Sequence, residues 1–154
     1  MAFEIRPATR ADLPTLKRFE QGIIAAERPY DPTIKPDPVS YYDLAALIDA
    51  PDAEVLVAEA DGAIIASGSA RTMKSTHYFE HDHHAYLGFM WVEPEWRGKG
   101  ANPLIIDALI DWSRAMGLTE IQLTVYAENT GAIRAYEKAG FEPFIARMRL
   151  SAQS

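Results

Sequence analysis

The residue types best suited to chemistry lie in a loop rich in glycine and cations, residues 92–103. Gly98 and Gly100 allow a ligand to approach the backbone closely, and Arg97 and Lys99 supply positive charge. The loop joins an apolar strand to an amphipathic helix, whose first N–H groups have no intrahelical partners. This combination is typical of a phosphate or pyrophosphate site. An ordinary strand-to-helix turn with solvated charges fits the same spacing.

The loop does not match two common phosphate-binding motifs. No segment has the P-loop spacing Gly-x-x-x-x-Gly-Lys-Ser/Thr. The dinucleotide fingerprint requires a third glycine where this chain has Pro103, and it belongs at the first strand of a βαβ fold rather than at the fourth. Both readings are excluded.

A second concentration of reactive side chains is the histidine cluster His77, His81, His83 and His84, which holds all four histidines of the chain. With Asp82 these residues could ligate a metal. Consecutive residues of an extended chain point to opposite sides, so few of them could converge on one ion. We therefore favour a solvated polar connection and predict no metal site.

Composition narrows the class of protein. The 154 residues are 48% hydrophobic and 24% charged, which indicates a single globular domain over 1–154. A net charge of −7 argues against nucleic-acid binding. The absence of cysteine excludes a thiol nucleophile and a thiolate zinc site. Apolar runs are too short for a membrane span, and no signal peptide is recognised, so we expect a cytoplasmic protein.

Periodicity predicts a mixed α/β fold in the order β, α, α, β, β, β, α, β, α, β, an antiparallel meander followed by βαβ crossovers. A capping box at residues 9–12 should open the first helix, and residues 40–43 should cap a short helix ending near Pro51. Asp61 and Gly62 predict a hairpin turn. Strands are expected at 3–6, 53–60, 63–71, 86–92, 121–125 and 141–150, and the later helices at 103–116 and 129–138.

Two segments together carry a family resemblance. Val92-Glu93-Pro94 followed by residues 97–102 resembles the acetyl-CoA-binding motif of the GNAT acetyltransferases, Arg/Gln-x-x-Gly-x-Gly/Ala. Residues 129–141 resemble the second signature of that family, Asn-x-x-Ala-x-x-x-Tyr-x-x-x-Gly-Phe. Since residues 5–9 and the element order also match, the resemblance spans essentially the whole chain. It implies a central, mostly antiparallel sheet that is splayed at the cofactor site.

The resemblance implies acetyl-CoA as co-substrate and no metal. Backbone groups of Met90, Trp91 and Val92 would bind the pantetheine arm. Asn129 would hydrogen-bond that arm, and Tyr136 would protonate the departing thiolate. The chain departs from the motif at its last position, where Asn102 precedes Pro103 and should act as the helix N-cap. The pyrophosphate would be held by Arg97, Gly98, Lys99, Gly100, Ala101, Asn102 and Pro103.

The general base is not evident from the sequence. Two positions that often hold it in the family are occupied by Tyr86 and Thr124, which we assign to substrate binding. Strand alternation predicts His84, Tyr86, Gly88 and Met90 on one face, which makes His84 the nearest imidazole. A water-relayed base, or no dedicated base, remains an alternative to His84.

We expect an N-acetyltransferase that transfers the acetyl group directly to a primary amine, because a chain without cysteine cannot form an acyl-thiol intermediate. Carboxylates beside tyrosines in the variable loops suit a small cationic acceptor, although ordinary loop polarity explains them equally. The alternatives are a protein N-terminal or lysine acetyltransferase and a non-catalytic acyl-CoA-binding sensor module. A homodimer is possible. The acceptor-side residues are Glu27, Tyr30, Asp31, Glu80 and Asp82.

Overall fold

The computed structural model describes residues 2–153 and is built on one five-stranded sheet in the order β1-β2-β3-β4-β5. Strands β1 to β4 are antiparallel neighbours, and β5 lies parallel to β4. The strands are β1 (Glu4–Pro7), β2 (Ala53–Ala60), β3 (Ala63–Lys74), β4 (His83–Val92) and β5 (Ile121–Gln122). The helices are α1 (Leu13–Glu27), α2 (Leu44–Asp49), α3 (Ala101–Ala115) and α4 (Thr130–Lys138).

Helices cover both faces of the sheet, so each face has its own hydrophobic core. On one face, Leu16 and Phe19 of α1 pack with Phe89 of β4, all nearly inaccessible to solvent. On the other, Ile105 and Leu109 of α3 pack against the alternate side chains of the same strands. A sheet buried on both faces holds its central strands in a fixed register.

The predicted capping box forms at the entrance to α1. The Thr9 N–H donates to Asp12 Oδ2 at 2.8 Å. Arg6 donates to both Asp12 oxygens, at 2.8 and 3.0 Å, and its Nε donates to Glu59 on β2 at 2.7 Å. The hydrogen bonds from Arg6 lower the pKa of Asp12, and the opposing effect of burial is smaller. This network attaches the start of α1 to strands β1 and β2.

Local turn chemistry is also confirmed. Asp61 and Gly62 both have positive φ, 53° and 76°, as a two-residue hairpin turn of the mirror-image type requires. Asp43 caps α2, because its side chain accepts a hydrogen bond from the Ala46 N–H at 3.1 Å. These short-range features depend on residue type alone, which explains why the sequence predicts them.

Several predicted boundaries are wrong. Helix α3 begins at Ala101, so its N-cap is Gly100 in the left-handed region and not Asn102. Strand β4 begins at His83 and β3 extends to Lys74, because cross-strand pairs continue to Lys74–His83. Strand β5 ends at Gln122, since pairing with β4 stops there.

The predicted last strand, residues 141–150, does not form within the part of the chain that the structure describes. Beyond the Phe141 N–H, which donates to Tyr136 O at 3.0 Å, residues 142–153 make no backbone hydrogen bond to any strand. Met148 and Leu150 are 92% and 89% exposed. Apolar residues recur along this segment, but polar and apolar residues alternate only at 147–150, and no strand of the sheet within residues 2–153 pairs with it. None of the helices in residues 2–153 is long and apolar enough to cross a bilayer.

We predict that Asp12→Asn lowers the free energy of unfolding by about 1–3 kcal/mol at pH 7, because it removes a charged acceptor from a largely buried network. The lowered pKa of Asp12 means that its stabilisation is present above the unfolded value near 3.8 and is lost as the pH falls below it. The difference in free energy of unfolding between the wild type and Asp12→Asn, measured with denaturant, should therefore be smaller at pH 3 than at pH 7. Asp49→Asn, which alters an exposed ion pair with Arg10, is the matched control and should change little.

Candidate active site

A bulge in β4 organises the site. Phe89 has φ of +55°, and Phe89 and Met90 together lie opposite Gly68 of β3, where the register shifts. The Phe89 N–H donates to the Tyr42 hydroxyl oxygen at 3.1 Å. The bulge therefore brings the α1–α2 connection onto the middle of β4.

The bulge also overturns the predicted alternation along β4. Tyr86 and Gly88 face the pocket beside Tyr42. Met90 packs in the opposite core, below α3, where its Sδ lies 2.8 Å from the position that a Cβ at Gly68 would take. The expectation that Met90 shares a face with Tyr86 and Gly88 is wrong, because one extra residue reverses every side chain that follows.

Strands β4 and β5 separate just before this bulge. They pair only at Ala85–Ile121 and Tyr86–Gln122. Beyond Tyr86, no ladder pair joins β4 to β5 in residues 2–153. The edge of β4 that includes Met90, Trp91 and Val92 is thus open to a ligand on the β5 side, as expected for a splayed sheet.

The glycine loop that follows β4 forms an open cradle at the start of α3. Gly98 and Gly100 have φ of +75° and +94°, and a Cβ on either would meet nothing within 4 Å. Aromatic rings hold the two cations of the loop: Arg97 lies 4.9 Å from the Trp91 ring centre and Lys99 5.1 Å from that of Trp96. Arg97 Nε also donates to Val92 O at 2.9 Å. Exposed N–H groups beside two cations suit a pyrophosphate.

A small pocket lies on the α1–α2 side of the sheet, with a cavity volume of about 50 Å³. Its floor is the β3–β4 pair, where Ser69 Oγ donates to Gly88 O at 3.1 Å. Gly88 is part of this floor, and a Cβ there would be in van der Waals contact with the Tyr42 oxygen, at 3.6 Å. The pocket is lined by Tyr42, Leu47, Ser69, Arg71, Tyr86 and Gly88.

The α1–α2 connection is fixed by a buried carboxylate. Glu20, only 4% exposed, accepts hydrogen bonds through Oε2 from the Tyr41 and Tyr42 N–H groups at 2.9 and 2.7 Å. These bonds satisfy backbone donors that a loop would otherwise leave unpaired, and they orient Tyr42 toward the bulge.

Glu27, at the end of α1, lies among tyrosines. Burial raises its pKa, and a hydrogen bond from Tyr41 partly offsets that effect. Burial, with smaller effects of Tyr42 and Glu27, raises the pKa of Tyr136 to about 12. Glu27 also contributes to the raised pKa of Tyr42. Tyr136 therefore keeps its proton at neutral pH, and the charge of Glu27 acts on both tyrosines.

Other predicted acceptor residues are engaged with one another. Asp31 pairs with Arg149 at 2.9 Å and accepts from Tyr126 at 3.1 Å, and its pKa is lowered chiefly by hydrogen bonds from Thr33. Tyr30 stacks on Tyr126, with ring centres 5.8 Å apart. The carboxylate predicted for a cationic acceptor thus already has a cationic partner.

Two further predicted residues have local partners. The Tyr86 hydroxyl donates to Thr124 Oγ1, which bridges β4 and the segment after β5. Asn129 is the N-cap of α4, because its side chain accepts from the Ala132 N–H at 3.3 Å. Capping fixes the start of the helix that carries Tyr136.

The histidines lie at the far end of the β3–β4 hairpin. Ser75 Oγ is 2.6 Å from His81 Nδ1 and 2.8 Å from His84 Nδ1, and burial lowers the pKa of His84. His84 precedes Gly88 by four residues, about 13 Å along a strand, and does not line the pocket. Within residues 2–153, no three histidine, aspartate or glutamate side chains come together as metal ligands. Glu80 and Asp82 are exposed on the same connection.

Sequence reasoning missed Tyr42, Ser69 and Arg71. Ser69 and Arg71 are polar residues at alternate positions of a central strand, a signal that one face of β3 lines a cavity. Tyr42 carried no comparable signal, because its role depends on a contact with β4, 47 residues away in sequence.

A mixed sheet splayed beside a bulge, with a glycine cradle at the following helix, defines a class of acyl-CoA-dependent transferases. The model of the acetyltransferase (GNAT) family matches residues 21–141, so the chain belongs to that family.

Related proteins agree with this assignment. An aminoglycoside N(6')-acetyltransferase type 1 from Stenotrophomonas maltophilia is 29% identical over 63% of this chain and 64% of its own. Matches to the curated relatives span between 24% and 64% of their length. A mutant BH1408 protein from Bacillus halodurans has a TM-score of 0.85 at 22% identity, over 97% of this chain and 99% of its own. A predicted acetyltransferase from Clostridium acetobutylicum, solved with acetyl-CoA, has a TM-score of 0.73 at 19% identity. The match covers 97% of this chain and 96% of the Clostridium acetobutylicum chain. These two likenesses show the fold.

Proposed function

We propose that this protein transfers the acetyl group of acetyl-CoA directly to a primary amine of a small molecule. The observation that carries the proposal is the arrangement around the β4 bulge. An anion-suited cradle and an open strand edge lie on the cofactor side, and a polar pocket lies on the α1–α2 side. The acetyl-CoA bound to the Clostridium acetobutylicum protein supports the choice of co-substrate.

The chain has groups suited to each part of acetyl-CoA. The cradle of residues 97–103 would receive the pyrophosphate through backbone N–H groups, with Arg97 and Lys99 offsetting its charge. The open edge of β4 at Met90, Trp91 and Val92 would hydrogen-bond the amides of the pantetheine arm, with Asn129 on the opposite side. Asn102, in the first turn of α3, can contribute its backbone N–H although it is not the N-cap.

In the proposed reaction the amine nitrogen attacks the acetyl carbonyl carbon, the new N–C bond forms and the C–S bond breaks. Tyr136 donates its hydroxyl proton toward the departing sulfur. Its raised pKa keeps that proton in place until negative charge develops on the sulfur. The surplus proton of the amine leaves to a base or to water, so the products are the acetamide and the free thiol of CoA.

Glu27 and His84 are the two candidates to receive the amine proton. The charge of Glu27 acts on Tyr42 and Tyr136, and burial raises the pKa of Glu27, which makes it a stronger base than an exposed carboxylate. His84 is hydrogen-bonded to Ser75 at the other end of β4. We therefore propose Glu27 as the acceptor-side base, with Tyr30, Tyr86 and Thr124 supporting the acceptor site.

The class of acceptor is inferred from a relative. The aminoglycoside acetyltransferase relative favours a small-molecule amine over a protein substrate. A cationic acceptor and a cytoplasmic location stay predictions of the sequence. A sensor that binds acyl-CoA without transferring it is the competing function, and the assays below separate the two.

We predict that Gly100→Val weakens acetyl-CoA binding at least about 10-fold, measured by titration calorimetry. A branched side chain at a φ of +94° strains the cradle and blocks the close approach of the pyrophosphate. Gly117→Val is the matched control, because Gly117 has φ of +78° in equally open space at the other end of α3. Equal affinity in both variants would contradict the cofactor assignment.

We predict that Tyr136→Phe reduces kcat about 100-fold and leaves the dissociation constant of acetyl-CoA nearly unchanged, because the hydroxyl acts on the departing sulfur. Release of free thiol with a panel of primary amines measures the activity. Tight binding of acetyl-CoA with no thiol release from any amine would favour the sensor function.

We predict that Glu27→Gln lowers kcat about 100-fold and removes the acidic limb of its pH profile, since the carboxylate must lose its proton to act as a base. Because burial raises the pKa of Glu27, that limb should lie above the ordinary glutamate value of 4.5. His84→Ala should keep the wild-type profile. A profile altered only in His84→Ala would restore the histidine as the base.

A further inference from the structure

Arg71 is the charged side chain of the acceptor pocket. The other side chains that line it, Tyr42, Leu47, Ser69 and Tyr86, are neutral in their usual states. The Arg71 guanidinium lies over the Tyr86 ring, 5.6 Å from its centre. None of the ion pairs found in residues 2–153 includes Arg71.

The sheet register places Arg71 at the far end of the pocket from the reaction. Ser69 lies opposite Gly88, next to the bulge, whereas Arg71 lies opposite Tyr86. Two residues along a strand correspond to about 7 Å. A ligand whose amine lies at the bulge, near Tyr42, would therefore extend a second group toward Arg71 over a few bonds.

We infer that the acceptor is a small amine that also carries an anionic group, a carboxylate or a phosphate, bound by Arg71. The inference rests on the proposed function and narrows it. The guanidinium can donate two parallel hydrogen bonds to either anion, and the Tyr86 ring holds it in the pocket. The acceptor thus places its amine beside Glu27 and its anionic group at Arg71.

The same charge disfavours a polycationic acceptor in this pocket. A second ammonium group of a polyamine or aminoglycoside would face the guanidinium, and like charges repel. None of the carboxylates that suggested such acceptors lines the pocket, and of these only Glu27 is assigned to the reacting amine. Asp31 is paired with Arg149, and Glu80 and Asp82 lie on the β3–β4 connection.

The test compares amines that differ only in the second group: β-alanine, β-alaninamide, 2-aminoethyl phosphate and 1,3-diaminopropane. We expect kcat/KM for one of the two anionic amines to exceed that for the amide about 10-fold or more. Whichever of β-alanine and 2-aminoethyl phosphate has the higher kcat/KM identifies the preferred anion as carboxylate or phosphate. Arg71→Gln should abolish the preference mainly through KM, and Arg114→Gln, an exposed arginine on α3, should retain it.

The outcomes separate this inference from the proposed function. If kcat/KM for the amide or the diamine equals that for both anionic amines, the proposed role of Arg71 is wrong. The proposed acetyltransferase function is unaffected by that result. A preference that persists in Arg71→Gln would overturn it as well. Thiol release from none of a wider amine panel, with acetyl-CoA still bound, would instead refute the proposed function.

Discussion

The hydrogen bond from the Phe89 N–H to the Tyr42 hydroxyl is the contact on which the candidate site depends. Phe89 has a backbone conformation that a non-glycine residue rarely adopts, at a cost of order 1–3 kcal/mol. Its buried ring and its bond to Tyr42 offset that cost. Because of the bulge, the side chains that follow Phe89 in β4 lie on the opposite faces of the sheet from those that regular alternation predicts. It places a pocket on one face of the sheet while the open edge of the strand remains available to a second ligand.

The Tyr42 hydroxyl reaches the bulge because of a chain of local constraints. Prolines between residues 29 and 38 prevent α1 from continuing into α2. The buried Glu20 carboxylate then receives the N–H groups of Tyr41 and Tyr42, and Asp43 caps α2 immediately afterwards. A buried acceptor and a helix cap within three residues leave Tyr42 little freedom. An irregular connection is thereby held as firmly as a regular element.

The sequence predicts features that depend on residues close together in the chain. It does not predict features that depend on contacts between residues far apart in the chain. The capping box at Thr9, the turn at Asp61 and Gly62, the cradle glycines and the family are all accessible from residue type and spacing. The bulge is not, because Phe89 is an ordinary strand residue whose φ is set by packing against α1 and Tyr42. The last strand illustrates the same limit. Apolar residues recur along 141–150, but a strand also needs a neighbour, and sequence pattern carries no information on whether one is available.

Charge shows how the placement of a few residues outweighs composition. The carboxylates of the variable loops suggested a cationic acceptor, and the net charge of −7 agrees with that suggestion. Net charge, however, acts at long range on encounter and solubility, whereas recognition depends on the groups at the pocket wall. Those groups are one arginine and several neutral side chains. The acidic surface and the basic pocket are compatible, because no carboxylate of residues 2–153 lines the pocket. A zwitterionic acceptor would satisfy both proposals: its amine would meet Glu27, the proposed base, and its anion would meet the guanidinium of Arg71 over the Tyr86 ring.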